Sequence, residues 1–207
     1  MRVYFQYCSY GFSNSYILGS DEIDSSRKKT AIIIDPGSIE NITMESIENN
    51  NYDLKAVLIT HDHLSHVRGL RTLKRIYKAE VFAVNHSIME HKTTMVKDGD
   101  KINIDDFSIE VISIPGHSSD SVVYKIRGML FTGDVLTAGL VGKTASAYGA
   151  TTQMNKLRSR LLSLPGDYVV LPGHGPPSTL EAERRFNTDI YHYDQSRSKR
   201  PPLKVDI

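Results

Sequence analysis

The stretch THDHLSH places His61, His63 and His66 within six positions, directly after the apolar run AVLI. Imidazole is the commonest protein ligand for transition metals, so histidines at this density read as a metal site. His61 and His63 are two apart and point to the same side of extended backbone, where they can grip one ion at ~2.0–2.1 Å. His66 follows where a helix begins and points past that ion towards a second. Asp62 is expected to face the other way.

Four more loops carry the same logic. AIIIDPG supplies Asp35, VISIPGH supplies His117, MLFTGD supplies Asp134, and VVLPGH supplies His174. Each time an apolar strand runs out, a residue able to bind or support a metal follows. A sheet holds such loop anchors rigidly and leaves their tips open to substrate. Gly37, Gly116, Gly133 and Gly173 stand beside these residues and permit tight turns and close backbone approach. Strand ends gathered on one sheet edge would bring five histidines and an aspartate into one pocket. His86, His91 and His192 stand outside the pattern and read as ordinary polar residues.

The elements that must position these loops follow from periodicity. Runs rich in Val, Ile, Tyr and Phe predict strands at 3–8, 15–19, 31–35, 56–60, 80–84, 107–114, 121–126, 129–132 and 168–171. Helical spacing predicts helices at 39–49, 67–78, 152–164 and 179–186, the third stopped by Pro165-Gly166. The polar stretch 20–30 reads as a hairpin loop. Strands and helices alternate, so the fold class is α/β. The domain is expected to span residues 1–190, with 191–207 as a C-terminal tail or strap.

Composition narrows the function. The 207 residues are enough to bury a core, and 40% hydrophobic with 24% charged residues is ordinary for a globular protein. A net charge of +1 gives no global pull towards nucleic acid or membrane. The single cysteine, Cys8, excludes an internal disulfide and agrees with a reducing cytoplasm. The N-terminus lacks a signal peptide's apolar core, and no run approaches the ~18 apolar residues of a membrane span. Neither nucleic acid nor membrane is therefore an expected partner, which leaves a small-molecule substrate open.

Taken in order, His61-Asp62-His63-Leu64-Ser65-His66, Pro115-Gly116-His117, Thr132-Gly133-Asp134 and Pro172-Gly173-His174-Gly175 resemble the metallo-β-lactamase superfamily, in its glyoxalase II-like (hydroxyacylglutathione hydrolase-like) branch. The resemblance runs to about Asn187. It implies a four-layer αββα sandwich with Zn2+ at one edge, as one or two ions; mixed His/Asp sites also accept iron or manganese. By that resemblance His61, His63 and His117 hold the first ion. His66 and His174 hold the second, and Asp134 bridges the two. Asp134 and His66 are then the candidate catalytic residues, a metal-bound hydroxide attacks a thioester or related ester, and Asp35 orients the ligand loop from behind.

The chain departs from the family's His-x-His-x-Asp-His at one position, where Ser65 replaces the aspartate. A neutral hydroxyl supplies no charge, so the second site is expected to bind its ion more weakly than the first. The chain is also expected to lack the C-terminal helical domain of glyoxalase II. In AGLVGKTASAYG, Lys143 aligns with a lysine that contacts the thiol carrier's carboxylate in that family, and Tyr148 stands nearby. Both are substrate-binding candidates. EAERRF reads as a solvated charged face. Two other functions stay open: a persulfide oxygenase with one iron on His61, His117 and Asp134, and a non-catalytic metal-binding protein.

Overall fold

The computed structural model describes residues 1–21 and 28–198. The chain begins with β1 (Arg2–Tyr7), β2 (Asn14–Gly19), β3 (Lys29–Ile34), α1 (Asn41–Glu48), β4 (Tyr52–Leu58), α2 (Leu64–Val67) and α3 (Leu70–Ile76). Short pieces follow: β5 (Glu80–Ala83), β6 (Ser87–Ile88), β7 (His91–Lys92), β8 (Thr94–Met95) and β9 (Lys101–Ile104). Then come β10 (Phe107–Ser113), β11 (Val122–Ile126), β12 (Met129–Gly133), β13 (Leu136–Thr137), β14 (Leu140–Val141) and α4 (Ala147–Lys156). The last elements are β15 (Val169–Pro172), β16 (Ser178–Thr179), α5 (Leu180–Phe186) and α6 (Thr188–Ser198).

Two six-stranded sheets carry the fold, in the orders β1-β2-β3-β4-β5-β8 and β16-β15-β12-β11-β10-β9. Alternation along the strands explains why they stack. In β2 and β3, Leu18, Ile32 and Ile34 enter the layer between the sheets, where they meet Phe107, Ile109, Tyr124 and Phe131. Their neighbours Ile17 and Ile33 face outward and are covered by Ile47 of α1, Val67 of α2, and Leu70 and Leu73 of α3. The second sheet does the same: Ile112, Val123, Leu130 and Val170 face outward onto Met154 of α4, Leu180 of α5 and Ile190 of α6. Strands buried on both faces need continuous apolar runs, and AIII and VVY are such runs. The result is the expected αββα sandwich.

Strand direction gathers the chemistry. β3, β4 and β5 are parallel, so their carboxyl ends share one edge. β12 and β15 are parallel, and β10 runs the same way because it and β12 both lie antiparallel to β11. The loops after β3, β4, β10, β12 and β15 are those that carry Asp35, the THDHLSH histidines, His117, Asp134 and His174.

Several elements differ from the sequence expectations. The helix expected at 67–78 divides into α2 and α3 at Gly69, whose amide bonds back to the Pro36 carbonyl at 2.8 Å. The helix expected at 152–164 begins earlier, where Ser146 caps Gly149 N–H, and widens into a π-helical stretch over Leu157–Leu162. The expected domain boundary at residue 190 falls inside α6. Ile190 is buried there and Asp189 Oδ2 accepts from Val141 N–H at 2.8 Å, so a few contacts dock a segment whose sequence has little apolar periodicity. Residues 199–207 of the expected tail, and 22–27 of the expected hairpin loop, lie outside the described residues.

Candidate metal centre

Asp134 occupies the middle of the site. His66 Nε2 lies 3.3 Å from its Oδ1, while His117 Nε2 and His174 Nε2 each lie 3.5 Å from Oδ2, with His61 Nε2 at 3.8 Å. His63 Nδ1 faces His117 Nε2 at 3.0 Å. Ligand-capable atoms of His61, His63, His117 and Asp134 lie within 4.8 Å of one another, as do those of His66, Asp134 and His174. The two groups share Asp134, so all six residues expected at one pocket are brought together.

The cluster is supported from behind. Asp35 accepts from Thr60 N–H at 2.8 Å and from the Thr60 hydroxyl at 2.6 Å, and its Oδ2 lies 3.0 Å from His66 Nδ1. Although Asp35 lies near His61 and His66, these bonds use both of its oxygens, which makes it an orienting group. Its backbone has φ 49°, a conformation aspartate tolerates better than most residues. His117 Nδ1 lies 2.8 Å from the Lys143 carbonyl, and His174 Nδ1 lies 3.0 Å from the Phe12 carbonyl. His66, His117 and His174 thus each have the far nitrogen fixed by protein and the near nitrogen turned inward.

Inside the cluster, polar atoms lack protein partners. His61 Nε2, His66 Nε2 and Asp134 Oδ1 are buried without hydrogen bonds. Orphaned buried nitrogens and oxygens aimed at one point are costly unless something charged binds there. Two ring nitrogens 3.0 Å apart, as in His63 and His117, likewise need a proton or a cation between them. The donor set fits divalent metal binding.

Charge follows burial and pairing. Burial, and then the His66 charge, pulls His61 down to about 3. Burial, then His117, also lowers His63. Burial would lower His66 too, but the Asp134 and Asp35 carboxylates on its two sides outweigh it and raise His66 to about 10. Asp134 is opposed by its own burial, yet His66 holds it below the usual carboxylate range.

Glycines make the cluster possible. A Cβ at Gly173 would fall 2.4 Å from Asp134 Oδ1 and 2.5 Å from His66 Cε1. At Gly133, with φ 49°, a Cβ would meet Thr60 Oγ1 at 2.4 Å.

Other predicted residues take different places. Asp62 is exposed and outside the cluster; its N–H donates to Asp120 Oδ2 at 2.9 Å. Ser65 lies on α2, with its carbonyl accepting from Ser13 Oγ at 2.6 Å. Lys143 reaches the His117 edge through its backbone. Tyr148, in the first turn of α4, is 81% exposed. EAERRF departs from a solvated face at Glu183, which is buried and bonds Gly139 N–H, Ser178 Oγ and Asn187 Nδ2. Sequence reading also passes over Thr60 and the Phe12 carbonyl. Thr60 stands next to His61 in the motif, but a backbone carbonyl carries no residue signature.

The metallo-beta-lactamase superfamily model matches residues 9–174. The chain belongs to that superfamily. Hydroxyacylglutathione hydrolase GloC of Haemophilus influenzae is 29% identical over 184 residues, covering 77% of this chain and 87% of that protein. Hydroxyacylglutathione hydrolase of Aeromonas salmonicida is 33% identical over 145 residues; the match covers 69% of this chain but only 56% of that protein's length. The solved BLEG-1 B3 metallo-beta-lactamase has the same fold, with TM-score 0.81 and 22% identity over 91% of this chain and 99% of that one.

Proposed function

We propose that this metallo-beta-lactamase superfamily member is a metal-dependent hydrolase of a thioester or related ester, of the S-acylglutathione type. The observation that carries the reading is the pair of ligand groups sharing Asp134. His61, His63 and His117 would hold one ion, His66 and His174 a second, and Asp134 both. Zinc suits this donor set, and the relatives' names supply the thioester class.

Bound divalent ions supply a water that ionises near neutral pH and polarise the scissile carbonyl. The chain's own residues prepare for this. His61 and His63, with lowered proton affinity, offer free electron pairs at neutral pH. His66 holds a proton between Asp35 and Asp134 and gives it up on ligation. Asp35 and Thr60 keep His66 aimed as that proton leaves. Ser65 brings no carboxylate to this side, so a second ion would have His66, Asp134 and His174 as its protein ligands and would be held more weakly.

Elemental analysis of metal per chain, paired with hydrolysis of an S-acylglutathione, tests the reading. Zinc at one to two equivalents with thioester cleavage lost on chelation supports it. Iron with oxygen uptake on glutathione persulfide would replace it with an oxygenase, and bound metal without turnover of either would replace it with a binding protein.

A further inference from the structure

Three of the segments that carry the metal centre meet at one buried side chain outside the ligand set. Gln153, on α4, is 0% exposed. Its Nε2 donates to the Gly142 carbonyl at 2.9 Å and to the Val135 carbonyl at 3.4 Å. Gly116 packs on its other side, where a Cβ would overlap Gln153 Cβ and fall 2.9 Å from Oε1. Each contact is one residue from the chemistry. Val135 follows Asp134, Gly116 precedes His117, and Gly142 precedes Lys143, whose carbonyl faces His117 Nδ1 at 2.8 Å.

Polarity fixes which way the amide points. Two carbonyl oxygens need a donor between them, so turning the amide over would set oxygen against oxygen. In the orientation it holds, Oε1 is buried and has no hydrogen-bond partner. An orphaned buried oxygen is costly, and an apolar side chain of the same length would avoid it. Packing alone therefore favours methionine or leucine here, whereas a clamp on two carbonyls needs the amide N–H groups.

Close approach makes the clamp rigid. Gly116, with φ 147°, lets α4 lie directly on the His117 loop, since a Cβ there would lie 2.6 Å from the Gly149 carbonyl. Gly142 is pressed against the Asp134 carbonyl with no room for a side chain. Gly142 N–H also reaches the Val135 carbonyl at 3.3 Å, so both backbone groups of Gly142, the Val135 carbonyl and the Gln153 amide close one ring of hydrogen bonds. The helix that presents Gln153 is anchored separately, by the Ser146 cap and by Met154 in the apolar layer behind it.

Resting on the metal-centre reading above, we propose that Gln153 is a positioning residue for the first ion. It fixes the Gly142–Lys143 peptide, the Lys143 carbonyl fixes His117 Nδ1, and His117 Nε2 is thereby held towards His63 and Asp134. His66 and His174 hang instead on Asp35 and the Phe12 carbonyl. Loss of the amide therefore acts chiefly on one ion.

Zinc titration of metal-free wild type and of Gln153→Met tests this, with cobalt(II) replacing zinc in a parallel run to report coordination geometry. Methionine keeps the length and the apolar packing and removes the donors. The tight event weakens about tenfold or more, as for groups that orient a ligand, while the weaker event shifts by less than about threefold. The visible absorption of the first cobalt equivalent changes with it. Gln153→Glu, which keeps the shape and sets oxygen against the carbonyls, gives the same selective loss if Gln153→Met repacks α4. A lower thermal midpoint with an unchanged tight event and cobalt spectrum, or equal weakening of both events, overturns the proposal and leaves Gln153 a packing residue. A wild type that takes up no zinc removes the metal centre and this role together. A wild type that binds zinc, cleaves no thioester and still shows the selective loss keeps the role and removes the hydrolase reading.

Discussion

Asp134 serves both ligand groups, and its chemistry is that of a charge placed between cations. Removing the charge while keeping the shape separates electrostatics from packing. Asp134→Asn should weaken the binding of both ions by at least about a hundredfold, read by zinc titration, and leave the far-ultraviolet circular dichroism unchanged. Gly173→Ala makes a sharper steric test, because its methyl would collide with Asp134 Oδ1 and His66 Cε1. It should abolish the second ion while the protein still folds. Ser65→Asp should tighten that same ion, seen as a lower zinc dissociation constant for the weaker event. At this scale the sequence is highly legible for side chains, since His and Asp announce their chemistry. It is silent where the backbone does the work, as with the Phe12 and Lys143 carbonyls behind His174 and His117.

Among the elements, the five strand-end loops are legible because strands buried on both faces leave unbroken apolar runs that stop at the ligand. The short strands β6, β7, β13 and β14 are not. Two residues carry no period, and their pairing is set by tertiary contacts. Helix α6 escapes for a related reason: its docking rests on Ile190, Asp189 and neighbours that the sequence does not mark as apolar face. Glu183 shows what such contacts achieve. From α5 it holds Gly139 in the turn joining β13 to β14, the hairpin that leads to Lys143 and so to His117. Glu183→Ala leaves the buried Asn187 Nδ2 and the part-buried Gly139 N–H and Ser178 Oγ without this acceptor and should cost about 2–4 kcal/mol in chemical denaturation. It should also loosen the first ion several-fold in zinc titration, and a variant that loses stability with unchanged zinc affinity would confine Glu183 to a packing role.

Across the whole molecule, the centre joins loops from both sheets. Asp35 and the THDHLSH histidines come from the first sheet; His117, Asp134 and His174 come from the second. An ion bound there ties the sandwich together at one edge, so ligation and folding are linked. Chelation should lower the thermal midpoint, by an amount corresponding to about 4 kcal/mol where free zinc had stood a thousandfold above its dissociation constant. A midpoint insensitive to chelation would mean that the edge is already as stable without the ion.

The central claim is two unequal metal sites sharing Asp134, and calorimetric titration of metal-free protein with zinc tests it most directly. The account predicts one tight event and one weaker event, with His174→Ala removing the weaker and sparing the tight one. Two equally tight events, or binding that is unchanged by His174→Ala, would contradict it.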